Sequence, residues 1–179
     1  MLYAFGFERI GVLISDLYFV DPDPEHAQGG AERGVRLEVR MLGLGEPQGN
    51  FYSARPIEVG RPVWRADLLE TADGPPGSLN RAHHHPVFDG WNPTRRVFDE
   101  ELSARPVQWV AEALSDLDGL LNRAGVEADE SLTADAESLR GCIPEITAAV
   151  SGLLAKVKAG ELAVPPADQQ LSSARISWL

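Results

Sequence analysis

The sequence predicts an α+β fold, in which a mostly antiparallel sheet of five or six strands fills roughly the first 100 residues and two main α-helices follow. Residues 1–99 show the alternation of apolar and polar side chains that is typical of strands. Residues 106–124 and 133–159 instead repeat apolar side chains every three or four positions, as amphipathic helices do. We therefore expect one domain, with a β-rich portion 1–99, a helical portion 100–160 and an extended tail 161–179.

The opening residues 5–20 are rich in β-branched, aromatic and other apolar side chains. They predict one long bent strand or two short strands, with Gly11 as a candidate β-bulge. In the loop that follows, Asp21, Asp23 and Glu25 alternate in a way that invites a calcium interpretation. The loop lacks the glycine and the distal glutamate of a calcium-binding helix-loop-helix, so we expect a solvated acidic loop.

The next predicted strands occupy residues 35–41, 52–59, 62–70 and 81–88. Residues 35–41 alternate most regularly and predict a strand with one face buried and the other in water. Gly60-Arg61 predicts a tight two-residue hairpin between the second and third of these strands. This hairpin would place Ile57 and Val59 on the core face together with Trp64.

The helical portion carries recognisable start and stop signals. Ser103 is a plausible N-cap for the first helix, and Gly125 can end it. Pro144 cannot lie inside a helix without losing a backbone hydrogen bond, so the second helix should kink or restart there before it ends at Gly160. The apolar residues between positions 176 and 179 predict that the end of the tail docks on the domain.

Composition narrows the classes of function. The formal net charge of -11 opposes binding to a long nucleic acid or an anionic membrane. No run of about 18 apolar residues or basic leader predicts a membrane span or a secretory signal. Cys142 is the single cysteine, and the chain is expected to be cytoplasmic. A homodimer through the C-terminal helices is expected if those helices leave an apolar face uncovered.

The most informative stretch is Arg81-Ala82-His83-His84-His85-Pro86, which holds three of the four histidines. If the strands on either side of the Gly-Pro loop pair about residue 75, Asp67 faces His83 and Arg65 faces His85. Glu58 would lie one strand away on the same face. A slip of one residue would set Asp67 against Ala82 or His84 instead.

Two kinds of site are compatible with that register. His83 and His85 can share one divalent, zinc-like ion with Asp67 or Glu58 as the third ligand. Arginine and tryptophan side chains can instead anchor a small anionic ligand or a protein partner. The candidate ligand-binding residues are Arg65, Arg81, Trp91, Arg95 and Arg96.

The leading hypothesis is thus a binding module for a small ligand or a protein partner, with or without a metal ion. One alternative is a small metal-dependent hydrolase or nuclease that uses His83, His85 and Asp67. Another is an acidic protein that neutralises a basic partner. A purely structural interpretation also stays open, in which His84 is a hydrogen-bonded core residue and the other histidines lie on a polar sheet face.

Overall fold

The computed structural model describes residues 1–20, 30–167 and 174–179. It confirms the α+β class, since an antiparallel sheet in the N-terminal part is followed by helices. The acidic loop around Asp21, Asp23 and Glu25 lies outside the described residues. Eight strands are described: β1 Leu2–Gly6, β2 Ile10–Val20, β3 Glu32–Leu44, β4 Ile57–Thr71, β5 His83–His85, β6 Phe88–Asp89, β7 Asn92–Pro93 and β8 Ala174–Ile176.

The main sheet has the order β1-β2-β3-β4-β5, and β8 pairs with β2. The opening of the chain therefore forms two strands, and Gly11 pairs regularly with both Gly6 and Arg40, without a bulge. The register shifts occur instead between β3 and β4, on either side of Arg40. β6 and β7 form a separate small hairpin after β5. The last predicted strand, 81–88, is thus shorter than expected.

The predicted hairpin at Gly60-Arg61 is wrong, because both residues lie inside the single strand β4. β3 continues as far as Leu44 and pairs there with Ile57, so the chain has a partner strand to follow beyond the glycine. The two register shifts absorb the extra residues of β4 without reversing its direction. A pattern of glycine and alternation cannot distinguish such an irregular strand from two strands joined by a turn.

The same error misplaced three side chains. Ile57 is 70% exposed and Val59 is 45% exposed, so neither belongs to the core. Glu58 is exposed and pairs with Gly43 at the far end of β4. It does not lie beside the histidines.

The described helices are α1 Glu100–Ala104, α2 Pro106–Ser115, α3 Leu117–Arg123, α4 Glu130–Gly141 and α5 Ile143–Lys158. The first predicted helix is divided at Asp116, and Ser103 lies inside α1 rather than capping a helix. The second is divided at Cys142, and Pro144 falls in the first turn of α5. The restart expected at this proline is confirmed. Proline fits this position because the backbone nitrogen of a first-turn residue has no hydrogen-bond partner within the helix.

The helices cover one face of the sheet and form the core with it. β4 supplies Trp64, Ala66 and Leu68 to this face, and Trp64 stacks on Trp109 of α2 with ring centroids 6.0 Å apart. The other fully buried contributors include Ile10, Val12, Ile14, Val35, Leu37, Val39, Leu114, Leu117, Leu139, Ile146 and Val150. None of the helices in the described ranges is long and apolar enough to cross a membrane.

The tail returns to the sheet, as predicted. Ile176 of β8 pairs with Tyr18 of β2, and the hydroxyl groups of Ser15 and Ser177 lie 2.8 Å apart. This docking brings Arg175 to the face of the sheet that the helices leave free. That face carries the polar side chains of β3, β4 and β5.

Candidate functional site

The site is built on three adjacent strands whose polar side chains share one face. Asp67 of β4 lies opposite His83 of β5, and Arg65 lies opposite His85, so the predicted register is confirmed. On the other side of β4, Asp67 lies opposite Arg36 of β3. Because opposed side chains project to the same face of a sheet, the cluster follows directly from this register.

The carboxylate of Asp67 is the centre of the cluster and is 1% exposed. Arg36 donates from Nε to Oδ1 at 2.6 Å and from Nη2 to Oδ2 at 3.2 Å. Burial alone would raise the pKa of Asp67, but the charge of Arg36 and the hydrogen bonds that Arg36 donates hold that pKa well below its usual range. Asp67 is therefore a charged, buried carboxylate at neutral pH.

Both histidines are held in one tautomer by backbone carbonyl groups. The Nδ1 atom of His83 lies 2.8 Å from the Arg81 carbonyl oxygen, and that of His85 lies 2.9 Å from the Thr94 carbonyl oxygen. A carbonyl oxygen can only accept, so each Nδ1 donates and carries a hydrogen. In a neutral imidazole the other nitrogen, Nε2, then presents a lone pair. Burial also lowers the pKa of His83 to about 4, which favours this neutral form at pH 7.

The two Nε2 atoms converge on one oxygen of Asp67. His83 Nε2 lies 3.4 Å from Asp67 Oδ2, and His85 Nε2 lies 3.6 Å from the same atom. The three candidate ligand atoms lie within 4.8 Å of one another. Zinc bonds of about 2.0–2.1 Å in a tetrahedral site place neighbouring ligand atoms roughly 3.3 Å apart. The group therefore lies within metal-binding distance, and its three ligands are one fewer than a tetrahedral site takes.

The neighbours of these residues resemble the outer shell of a metal site. Carbonyl groups orient both imidazoles, and Arg36 orients the carboxylate, which are the contacts that usually fix metal ligands. The same contacts give a hydrogen-bond partner to Asp67 Oδ1 and to the Nδ1 atom of each histidine, all of which point away from the candidate metal position. The residues present thus fit a divalent ion with mixed nitrogen and oxygen ligands.

A second buried charge network lies beside the first. Glu38 is completely buried and accepts from Arg65 Nε and from Arg40 Nε, both at 2.6 Å. The guanidinium group of Arg65 also lies over the ring of Phe88, 5.0 Å from its centroid. The prediction that one face of residues 35–41 is in water is therefore wrong. Residues 35–39 are buried on both faces, and Phe88 and Trp91 of the β6–β7 hairpin lie against Arg65 and Arg40 on the face that the helices leave free.

Asp67, His83 and His85 line a pocket of about 360 Å³, which we call the sheet-face pocket. Its lining residues are Phe19, Glu32, Arg36, Arg65, Asp67, Leu69, His83, His85, Trp91, Asn92, Pro93, Arg96 and Arg175. Four arginines and two carboxylates line it, so with neutral histidines the lining carries an excess of two positive charges. This local sign is opposite to the net charge of -11 of the chain.

Arg96 presents a donor that the protein leaves without a hydrogen bond. Its Nη1 atom is buried and makes no hydrogen bond to any described residue. The nearest carboxylate contact is to Glu32 Oε1, at 3.8 Å. A buried donor in this state costs free energy unless an acceptor reaches it, so the pocket is suited to an anionic ligand.

The predicted ligand-binding residues are distributed unequally around this pocket. Arg65, Trp91 and Arg96 line it. Arg81 contributes its carbonyl group to His83, and its Nε lies 4.0 Å from Glu32 Oε1. Arg95 is exposed and is not part of the lining.

Several lining residues are not predicted by sequence reasoning. The alternation of Arg36 and Glu38 with apolar neighbours is a visible signal, but by itself it indicates a solvated strand face. Arg175 carries no local signal, because its place depends on how the tail docks. Phe19, Glu32 and Leu69 likewise take part only through strand pairing.

Comparison with protein-family models, with curated proteins and with solved structures finds no match to this chain.

Proposed function

We propose that this chain binds a small anionic ligand in the sheet-face pocket, and that a divalent metal ion on His83, His85 and Asp67 takes part in that binding. The observation that carries the proposal is the convergence of two imidazole Nε2 atoms on one carboxylate oxygen, at 3.4 and 3.6 Å. Both imidazoles are oriented by carbonyl groups so that these nitrogens present lone pairs.

Lone pairs that face a charged oxygen repel it unless a cation lies between them. A proton could serve, but burial opposes it at His83, whose pKa is lowered to about 4. A divalent ion satisfies all three atoms at once and binds imidazole in its neutral form. The mixture of two nitrogen ligands and one oxygen ligand suits a zinc-like ion.

The anionic ligand follows from the rest of the lining. Arg36, Arg65, Arg96 and Arg175 surround the trio, and a bound metal ion would add to their positive charge. Arginine recognises carboxylate and phosphate groups through paired hydrogen bonds. The volume of about 360 Å³ lies near the lower end of the usual range for small-molecule sites, which supports a small ligand over a long polymer.

Metal binding is tested on protein that has been stripped with a chelator and then titrated with zinc in a calorimeter. We expect one zinc ion per chain for the wild type and no saturable binding for His83→Ala or His85→Ala. His84→Ala is the matched control, because its ring lies on the other face, 5.0 Å from Trp109. Wild-type protein that takes up neither zinc nor another first-row divalent ion would contradict the metal part of the proposal.

Anion binding is tested by titrating metal-loaded protein with inorganic phosphate. Arg96→Gln should weaken phosphate binding at least tenfold, because it removes the buried donor that makes no hydrogen bond within the described part of the chain. Arg105→Gln is the control, since Arg105 is exposed and pairs with Glu101 outside the pocket. The anion part of the proposal fails if phosphate, sulfate and acetate all leave the protein unchanged.

A second candidate function is hydrolysis. The observation that favours it is that the group has three protein ligands, the number that is typical of catalytic rather than structural zinc sites. Release of p-nitrophenol from p-nitrophenyl phosphate by the metal-loaded wild type, and not by His85→Ala, would support it. The net charge of -11 speaks against a long nucleic-acid substrate. A basic protein partner stays a prediction, tested by salt-sensitive binding to polylysine.

A further inference from the structure

We infer that the ligand of the sheet-face pocket is an amphipathic anion, in which an aromatic or other flat apolar group is joined to a phosphate-like or carboxylate head. This inference rests on the proposed function, and it adds the chemical class of the ligand and the residue, Trp91, that selects it. The pocket presents two kinds of surface, and each selects one part of such a ligand.

The lining divides into a charged part and an apolar part. The charged part consists of the arginines, Glu32, Asp67 and the two histidines. The apolar part consists of Phe19, Leu69, Trp91 and Pro93. A bare inorganic anion would satisfy the first part and leave the second in water. A ligand that also carries an apolar group removes both surfaces from water, which is favourable.

Trp91 is the largest apolar side chain of this lining, and it is 62% exposed. It lies in the turn of the β6–β7 hairpin, directly after Gly90, whose φ of 58° only glycine adopts readily. A turn of this kind requires no aromatic residue for its own stability. An indole held at the rim of a pocket, with more than half of its surface in water, is a suitable surface for an aromatic ligand.

The indole is nevertheless held in position. The guanidinium group of Arg40 lies over its ring, 5.7 Å from the centroid. Arg40 is itself fixed by its 2.6 Å hydrogen bond to Glu38, which also binds Arg65. Trp91 is therefore connected through one chain of contacts to the charged part of the pocket.

The base of the hairpin is anchored in the same way. Phe88 of β6 is 6% exposed, and its ring lies 6.2 Å from that of His85. Thr94, just after β7, accepts from His85 through its carbonyl group. Because these contacts anchor the base and the tip carries the exposed indole, an aromatic group can stack on Trp91 while the attached anion reaches the arginines. Tryptophan and arginine are the side chains that most often anchor a bound partner.

The test compares two ligands that share one head group, methylphosphonate and phenylphosphonate, whose phosphorus–carbon bond resists hydrolysis. Metal-loaded wild-type protein should bind phenylphosphonate at least tenfold more tightly than methylphosphonate. Trp91→Ala should reduce this preference to threefold or less. The control is Trp178→Ala, because Trp178 is 71% exposed and is not part of the lining. Circular dichroism and a thermal melt verify that each variant is folded.

The outcomes separate this inference from the proposed function. If both phosphonates bind with equal affinity, the inference is overturned and the proposed function stands. If neither binds and phosphate also fails, the proposed function is overturned and the inference falls with it. A tenfold preference that survives in Trp91→Ala would overturn the assignment of Trp91 as the selecting residue.

Discussion

At the scale of single residues, the chemistry of this chain depends on which face each side chain of β5 takes. His83 and His85 project toward Asp67, whereas His84 projects to the helical side and lies 5.0 Å from Trp109. Three consecutive histidines thus occupy two different environments, because successive side chains of a strand alternate. The two histidines on the site face converge on Asp67, whose charge is balanced by Arg36.

Asp67→Asn should destabilise the protein strongly, even without a metal ion. The change leaves the guanidinium group of Arg36 buried without its carboxylate, which typically costs about 3–5 kcal/mol. Asp73→Asn, in the exposed loop after β4, should change the free energy of unfolding by less than about 0.5 kcal/mol. Urea denaturation with a chelator present measures both. A double variant Arg36→Met/Asp67→Leu should recover most of the loss, and an additive loss would contradict this account.

The buried imidazole of His83 should make the metal-free protein sensitive to mild acid. Its pKa is about 6.5 in the unfolded chain and about 4 in the folded protein, where burial disfavours the charge. Between these two values the unfolded chain binds more protons, so stability falls as the pH falls from about 6.5 to about 4, by up to about 3 kcal/mol. The lowered pKa of Asp67 contributes stability that is lost only at lower pH, below its unfolded value of 3.8.

Urea melts in the presence of a chelator, at pH 7 and pH 4.5, measure this effect. His83→Gln removes the titrating group and should lose clearly less stability between these two pH values than the wild type. If wild type and His83→Gln lose stability in parallel, another group causes the acid sensitivity.

At the scale of elements, β4 determines the arrangement of the molecule. It pairs with β3 on one side and with β5 on the other. Its alternating side chains place Trp64, Ala66 and Leu68 in the core and Arg65 and Asp67 in the site. A shift of β4 by one residue would exchange these two sets, so core packing also fixes the register of the site.

Gly34 is the glycine at which β3 and β4 leave the least room for a side chain. A Cβ atom at this position would lie 2.1 Å from the carbonyl oxygen of Leu68, which is backbone and cannot move aside. We expect Gly34→Ala to reduce the free energy of unfolding by at least about 2 kcal/mol. The matched control is Gly152→Ala in α5, where nothing lies within 4 Å and the better helix propensity should stabilise the protein by roughly 0.5–1 kcal/mol. Equal effects of the two changes in urea denaturation would contradict the steric explanation.

At the scale of the whole molecule, the sheet separates an apolar layer from a charged one. The helices bury their apolar stripes against the sheet, and no large apolar side chain of α1 to α5 is exposed among the described residues. The condition for the predicted homodimer through these helices is therefore not met on that surface. Dimerisation stays a prediction, and light scattering at tens of micromolar protein tests it.

One buried carboxylate also joins the helices to the sheet. Asp135 of α4 accepts from the backbone nitrogens of Glu8, Arg9 and Ile10, at 3.0, 2.7 and 3.1 Å. Asp135→Asn should cost about 1–3 kcal/mol, because an amide can satisfy these three donors only in part. Glu137→Gln on the exposed side of the same helix is the control. Thermal melts measure both variants, and a loss no larger for Asp135→Asn than for Glu137→Gln would refute this role.

The amino-acid sequence by itself predicts the fold class and, as one of the registers it allows, the observed pairing of β4 with β5. Alternation and helical periodicity are local properties of the chain, and a short loop centred near residue 75 leaves few ways to pair its flanking strands. A symmetric pairing about residue 75 sets Asp67 opposite His83 and Arg65 opposite His85, and core packing excludes the slip by one residue that spacing leaves open.

The tertiary structure alone decided the composition of the pocket and the course of β4. Arg36 and Glu38 look like surface residues in the sequence, but both are buried, and they pair there with Asp67 and Arg65 of β4. Arg175 reaches the pocket only because the tail pairs with β2. Pairings between segments so far apart depend on the free energy of the whole packed core, and neither residue spacing nor local periodicity carries that information.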